Sequence, residues 1–179
     1  MNTEIKDWIK RIEEIHLPRW HELPDLALYL DQVLEYVNEE IGVIFIHQGD
    51  SKDKVVTSSM INNYVKIQIM PAPIKKKYYK EHIAFIITIT VLKQVSNLND
   101  VSEGIKHLTK TLGKVKAFDA FITFLENALK ASMLELEQKD NTTSIFEPVE
   151  MNLLPLKAAT IAFASIMMSK YLMKKLKTT

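Results

Sequence analysis

Between two stretches of helical periodicity, residues 56–83 read VTSSMINNYVKIQIMPAPIKKKYYKEHI, and the two prolines in that run decide much of what the chain can fold into. Pro71 and Pro73 have no backbone N–H and a fixed φ, so neither continues a helix. A helix over 57–66 must therefore end before them, and a new one must begin after them. Thr57 or Ser58 is a natural N-cap. Met60, Ile61, Tyr64 and Val65 form the inward stripe at helical spacing, which leaves Ser58, Ser59, Asn62, Asn63 and Lys66 on the outward face. Beyond the prolines, Lys75, Lys76 and Lys77 are three consecutive cations on a stiffened projection, and Tyr78 leads from it toward a helix starting near Lys80. A short capped helix, a turn, a basic loop and a long apolar helix follow one another in the order that a winged helix-turn-helix requires.

The rest of the chain reads as further helices. Ile5, Trp8, Ile9 and Ile12 recur at i, i+3, i+4, i+7 and make an amphipathic first helix that stops before Leu17-Pro18, with Trp20 packed inward from the loop that follows. Asp25 is a fitting N-cap for a second helix with Leu26, Leu30, Val33, Leu34 and Val37 buried, ending near Gly42. Residues 43–47 (VIFIH) fit either a short strand or a helix tail, and 48–54 a polar turn. From Ile83 to Val95 the sequence is almost continuously apolar, as a central core helix would be. Asn97 caps a fifth helix that Gly113 terminates, and a sixth runs over about 115–138. After a polar loop at 139–150, a last helix spans about 155–176. The expectation is an all-α fold with at most a small β wing. It has an N-terminal helix and loop (1–24), a winged helix-turn-helix head (25–113) and a C-terminal bundle of dimerisation helices (114–179).

Charge is distributed unevenly. Formal net charge is only +1, yet residues 1–50 hold eleven acids against four bases, whereas from Lys66 to Lys80 there are five lysines and no acid. A local positive patch matters more to a polyanion than the total does. The chain has no cysteine, which removes disulfides, thiolate zinc sites and thiol nucleophiles, and fits a reducing cytosol. Its start is too charged for a signal peptide. The apolar run Ala158 to Ser169 falls short of the roughly 20 residues that span a bilayer.

Asn reads adenine edges bidentately, and Ser and Lys reach phosphates or bases. Thr57, Ser58, Ser59, Asn62, Asn63, Lys66, Lys75, Lys76, Lys77, Tyr78 and Lys80 are therefore the candidate contacts to double-stranded DNA. The plainer alternatives are a solvated helix face for the Ser/Asn positions, a solubility patch for the lysines, and a core role for Tyr78 at a strand–helix junction. No catalytic or metal constellation stands out. The five histidines are scattered without an i, i+4 pair, and Glu13-Glu14 and Glu39-Glu40 read as helix-surface pairs. A non-enzyme without cofactor is expected. The last helix is apolar nearly all round and needs burial, with Ile161, Phe163, Ile166, Met167 and Tyr171 against the sixth helix or a second subunit. Met151, Met167, Met168 and Met173 line either a core or the pocket of a small-molecule effector.

Thr57, Ile61, Asn62, Asn63, Tyr64, Lys66, Ile67, Ile69, Met70, Pro71, Tyr78, Glu81 and Ile83 fall in register with the head of MerR-type regulators, and Asn97–Val101 resembles the opening of that domain's fourth helix. The resemblance implies a recognition helix at 57–66 in the major groove and a wing at 71–78. Asn62 stands where the MerR pattern carries a phosphate-gripping arginine, Gln68 where it has a turn glycine, and Tyr79 where it has a capping serine. Leu17 to about Leu136 also resembles an uncharacterised Firmicutes family catalogued as domain of unknown function 1836, which implies a helix-turn-helix protein without established activity. The expectation from these signals is a cytoplasmic, homodimeric DNA-binding transcription regulator that does not enter a membrane. Its rivals are a helical protein-interaction module that has lost DNA binding, and a membrane-surface protein docking by its last helix.

Overall fold

The computed structural model describes residues 3–45, 54–137 and 147–176. Among them are seven α-helices: α1 (Thr3–Glu13), α2 (Leu30–Gly42), α3 (Ser58–Lys66), α4 (Lys80–Leu92), α5 (Leu98–Leu112), α6 (Lys114–Leu136) and α7 (Leu154–Leu176), with one 3₁₀ turn at Trp20–Glu22. The only β pairing among the described residues is two isolated antiparallel bridges, Leu28 with Tyr78 and Ile74 with Lys77. The all-α expectation is met.

Several helix ends follow from local chemistry. Thr57 caps α3, its Oγ1 accepting from Met60 N–H at 3.4 Å. Asn97 caps α5 by accepting from Asp100 N–H at 3.0 Å, and Gly113, at φ 78°, ends α5 and opens α6. Only a residue that tolerates the left-handed region can turn the chain there.

The start of the second helix differs from expectation. Asp25 is not its cap: α2 begins at Leu30, and Gln32 Oε1 accepts from Tyr29 N–H at 2.9 Å. The cause lies far along the chain. Leu28 N–H donates to Tyr78 C=O at 2.9 Å and Leu28 C=O accepts from Tyr78 N–H at 2.8 Å, so the backbone ahead of α2 is held extended. Leu26, expected in the core, is consequently 79% exposed, and Asp25 pairs instead with Lys80 at 2.5 Å. After α2, Ile44 and Phe45 turn tightly, their N–H groups donating to Ile41 and Gly42 carbonyls. Residues 46–53, with most of the expected polar turn, lie outside the described residues, as do 138–146 of the later loop.

α4 is the axis of the molecule. It contacts α2, α5, α6 and α7, and Ile83, Ile86, Ile87, Ile89 and Val91 are fully buried. Each such side chain contributes about 1.5–3 kcal/mol of burial; truncating Ile87 to Ala would cost about 2–5 kcal/mol. One hydrophobic cluster runs from Trp8 in α1 through α4 to Tyr171 in α7, across all three segments expected from sequence. α7 buries Phe163, Met167 and Tyr171 and half-buries Ile161 and Ile166.

Two carboxylates of α6 tie the N-terminal loop down. Glu126, itself buried, accepts from Leu17 N–H at 2.6 Å and from the Arg19 guanidinium at 2.7 Å. Two turns earlier, Asp119 accepts from Trp20 N–H at 2.7 Å, and the Trp20 ring meets Phe118 edge-on. α7 lies along α6 in the same direction: Leu156 and Ala159 share a wall with Ala117, Phe118 and Phe121, while Tyr171 stacks at 4.1 Å on Trp8 of α1. α7 therefore begins beside the start of α6 rather than beside its end. Lys157, buried on α7, donates to the Glu147 carbonyl ahead of that helix.

Candidate nucleic-acid interface

α3 presents the two faces its sequence predicts. Ile61 and Tyr64 are buried, Met60 and Val65 half-buried, and Ser58, Ser59, Asn62, Asn63 and Lys66 exposed. Asn38 of α2, unremarked in the sequence, sets where α3 begins. Its Oδ1 accepts from the N–H groups of Val55 (2.7 Å) and Val56 (3.2 Å), and its Nδ2 donates to the Val56 carbonyl (3.0 Å) and to Leu34 (2.7 Å). All four bonding capacities of the amide are used, and the segment entering α3 is fixed to α2.

After α3 the chain reverses through Gln68, at φ 58°. Ile67 N–H donates to Asn63 C=O, and the N–H groups of Ile69 and Met70 both reach Tyr64 C=O. This left-handed helix ending normally selects glycine.

The basic segment is a two-residue reverse turn. Ile74 and Lys77 exchange both backbone hydrogen bonds at 3.0 Å, and the two residues between them, Lys75 (φ 50°) and Lys76 (φ 64°), both lie in the left-handed region. Two successive positive φ values define the turn that favours Asn-Gly. Lys75 and Lys76 are exposed, and neither they nor Lys66 form an ion pair among the described residues. Lys77 is half-buried, its Nζ 5.4 Å from the centre of the exposed Tyr29 ring.

Two expected contacts are placed differently from these. Tyr78 is only 4% exposed, its ring edge-on to His82, and burial pushes its hydroxyl pKa up; it is a core residue at the strand–helix junction. Lys80 has a mostly covered side chain held by Asp25. Tyr79 opens α4 without a side-chain cap, and His82 supplies one from inside the helix. Its Nδ1 accepts from Tyr79 N–H at 3.0 Å, so its Nε2 carries the hydrogen donated to Ala72 C=O at 3.1 Å. His82 thereby ties the proline segment to α4. Spacing gave no hint of this role, because a lone histidine in an apolar run is common core material.

The fold and this site define an all-helical protein with a short, doubly anchored helix and a basic reverse turn projecting beside it. The chain belongs to the family described as Domain of unknown function (DUF1836), whose family model matches residues 18–124. That span runs from the loop under α6, through α3 and the lysine turn, into α6 itself. No curated protein and no solved structure matches the chain. Among the described residues, no helix is long and apolar enough to cross a membrane.

Proposed function

We propose that this protein is a DNA-binding transcription regulator whose α3 enters the major groove and whose lysine turn lies on the phosphate backbone. The observation that carries the reading is the turn itself. Lysines occupy both left-handed positions of a tight, solvent-facing hairpin where Asn-Gly would be free of strain. Backbone strain kept at an exposed tip is a mark of function, and cationic side chains are what that strain secures. The order α2, α3, turn, α4, α5, the left-handed Gln68 and the Leu28–Tyr78 pairing support a MerR-like winged helix-turn-helix head. The contacts in this reading are Thr57, Ser58, Ser59, Asn62 and Asn63 on the groove side and Lys66, Lys75, Lys76 and Lys77 on phosphates. Four neutralised phosphates give a slope of log K against log salt of about −3.6 per protomer.

The regulator acts in the cytoplasm as a homodimer through its C-terminal helices, reading a two-fold site. Supporting this, Ala158, Ala162, Ser165 and Ser169 lie exposed along α7 and leave room for close approach of a second helix.

The test is fluorescence anisotropy against a pool of random duplexes from about 50 to about 300 mM salt, with the Lys75→Glu, Lys76→Glu, Lys77→Glu variant alongside. Salt-steep binding that the variant loses supports the reading; absence of binding by the folded wild-type dimer retires it. One observation favours a protein-interaction module instead: Tyr29 and Ile74, which flank Lys77, are 52% and 58% exposed. A protein partner held by those apolar groups would survive the charge reversal and be lost in Tyr29→Ser, Ile74→Ser.

A further inference from the structure

Beyond the lysine turn the sequence holds a second basic run. Residues 104–118 carry Lys106, His107, Lys110, Lys114 and Lys116 and no acid. They form the second half of α5, the Gly113 junction and the first turn of α6, and all five basic residues are exposed. Lys106 pairs with Glu103 at 3.2 Å in an exposed contact worth little, and Lys114 pairs with Glu81 at 2.6 Å. Lys110 and Lys116 form no ion pair among the described residues. Helix electrostatics explain only part of this distribution. Lys110, in the last turn of α5, complements the dipole of that helix. Lys114 and Lys116 stand instead at the N-terminus of α6, where a cation is unfavourable, and the first turn of α6 has no acid.

The fold sets this corner against the candidate interface. Lys106 and Thr109 line a hollow whose opposite wall is Val65, Gln68 and the segment 69–72, so the second half of α5 lies beside the exit of α3. The Lys114–Glu81 pair joins α6 to the first turn of α4, which opens directly after the lysine turn. The corner therefore flanks both stems of that turn. Lys66 at the end of α3, Lys106 across the hollow and Lys110 one helical turn further make one basic track.

We propose that the α5–α6 corner is a second phosphate-binding surface for the duplex that α3 reads. Lys106 and Lys110 take two backbone phosphates beyond those met by the lysine turn, and Lys114 and Lys116 raise the local potential that attracts them. This surface rests on the DNA-binding reading and enlarges its interface from the head onto α5.

The experiment measures anisotropy of the full chain against the random duplex pool at about 50 and about 200 mM salt. It compares wild type with the Lys106→Gln, Lys110→Gln variant. The control is Lys6→Gln, Lys10→Gln, which removes the same charge from exposed positions of α1. Six neutralised phosphates give wild type a slope of log K against log salt of about −5.4, and the α5 variant one of about −3.6. Over that fourfold rise in salt, wild type should lose about twelvefold more affinity than the α5 variant, with the control matching wild type. Lys106→Arg, Lys110→Arg keeps both charges and should keep the wild-type slope. Circular dichroism and urea titration follow folding in every variant. A wild-type slope in the Gln variant of α5 overturns the proposal, and a fall in its stability alongside would leave Lys110 as a helix-end charge. An equal loss in the α1 control, or a lost slope in the Arg variant, also overturns it. DNA binding with these results refutes the α5 surface alone, whereas no binding by wild type retires the regulator reading and this surface with it.

Discussion

Replacing Lys75-Lys76 by Asn-Gly separates strain from charge in the lysine turn. Both lysines hold positive φ, 50° and 64°, and a side chain in the left-handed region costs about 1–2 kcal/mol relative to the right-handed one. Glycine at 76 removes that cost but gains freedom in the unfolded chain worth about 0.5–1 kcal/mol, and asparagine at 75 relieves part of its share. The net expectation is a protein more stable by about 1–2 kcal/mol, a rise in Tm of roughly 3–6 °C for a chain of this size. If the lysines contact phosphate, the same variant loses about 1.8 from its salt slope. Urea titration and calorimetry measure the first quantity, anisotropy the second. The Lys75→Glu, Lys76→Glu variant keeps the strain and reverses the charge, so it should lose DNA without gaining stability. An Asn-Gly variant no more stable than wild type would refute the strain argument. A stabilised one with unaltered salt dependence would refute the role given to these side chains.

Four further outcomes are expected. Asn38→Ala leaves the N–H groups of Val55 and Val56 unpaired and should cost about 2–3 kcal/mol, with hydrogen exchange at those two amides rising first. Gln68→Gly should stabilise by roughly 1 kcal/mol by relieving the turn after α3, read from the urea midpoint. Glu126→Ala strands the partly buried Arg19 guanidinium and the Leu17 N–H and should cost about 3–5 kcal/mol; Glu126→Gln should restore much of it. Glu22 and Glu40 should respond to acid in opposite senses. The Arg19 N–H, then His16, hold the Glu22 carboxyl below its ordinary 4.5, so its contribution is complete above that pH and lost as pH falls through the lowered value. Burial, then Glu39, raises Glu40; its charge opposes folding at neutral pH. Glu40→Gln should therefore stabilise slightly at pH 7 and not at all once acid has protonated the wild type, which paired melts at the two pH values would show.

What the sequence disclosed depended on how local the physics was. Thr57, Asn97 and Gly113 act on backbone groups within four residues, so their types and positions were sufficient. The same logic misplaced the start of α2, because Asp25 has the chemistry of a cap but Leu28 is held extended by Tyr78, fifty positions on. The outward face of α3 was legible from periodicity; Asn38, which positions it, was not, since an asparagine on a helix face carries no sign of what it will bond. Nothing in Lys75-Lys76 announces positive φ, as lysine is not a residue that favours it. The wall that Leu156 and Ala159 share with Phe118 and Phe121 was not legible either, because it exists only through the direction in which α7 returns along α6.

That direction bears on the order in which the chain can close during synthesis. Had α7 doubled back from the end of α6 as a hairpin, each new turn would have found its neighbour at once. Instead α7 restarts near Phe118, and its far end completes a stack with Trp8, which leaves the ribosome long before it. Ile9 and Ile12 of α1 are buried in the same cluster, and α1 packs on α6, so α1 finds that partner before α7 completes the stack on Trp8. Trp8 fluorescence should therefore be the last signal to reach its native value on refolding.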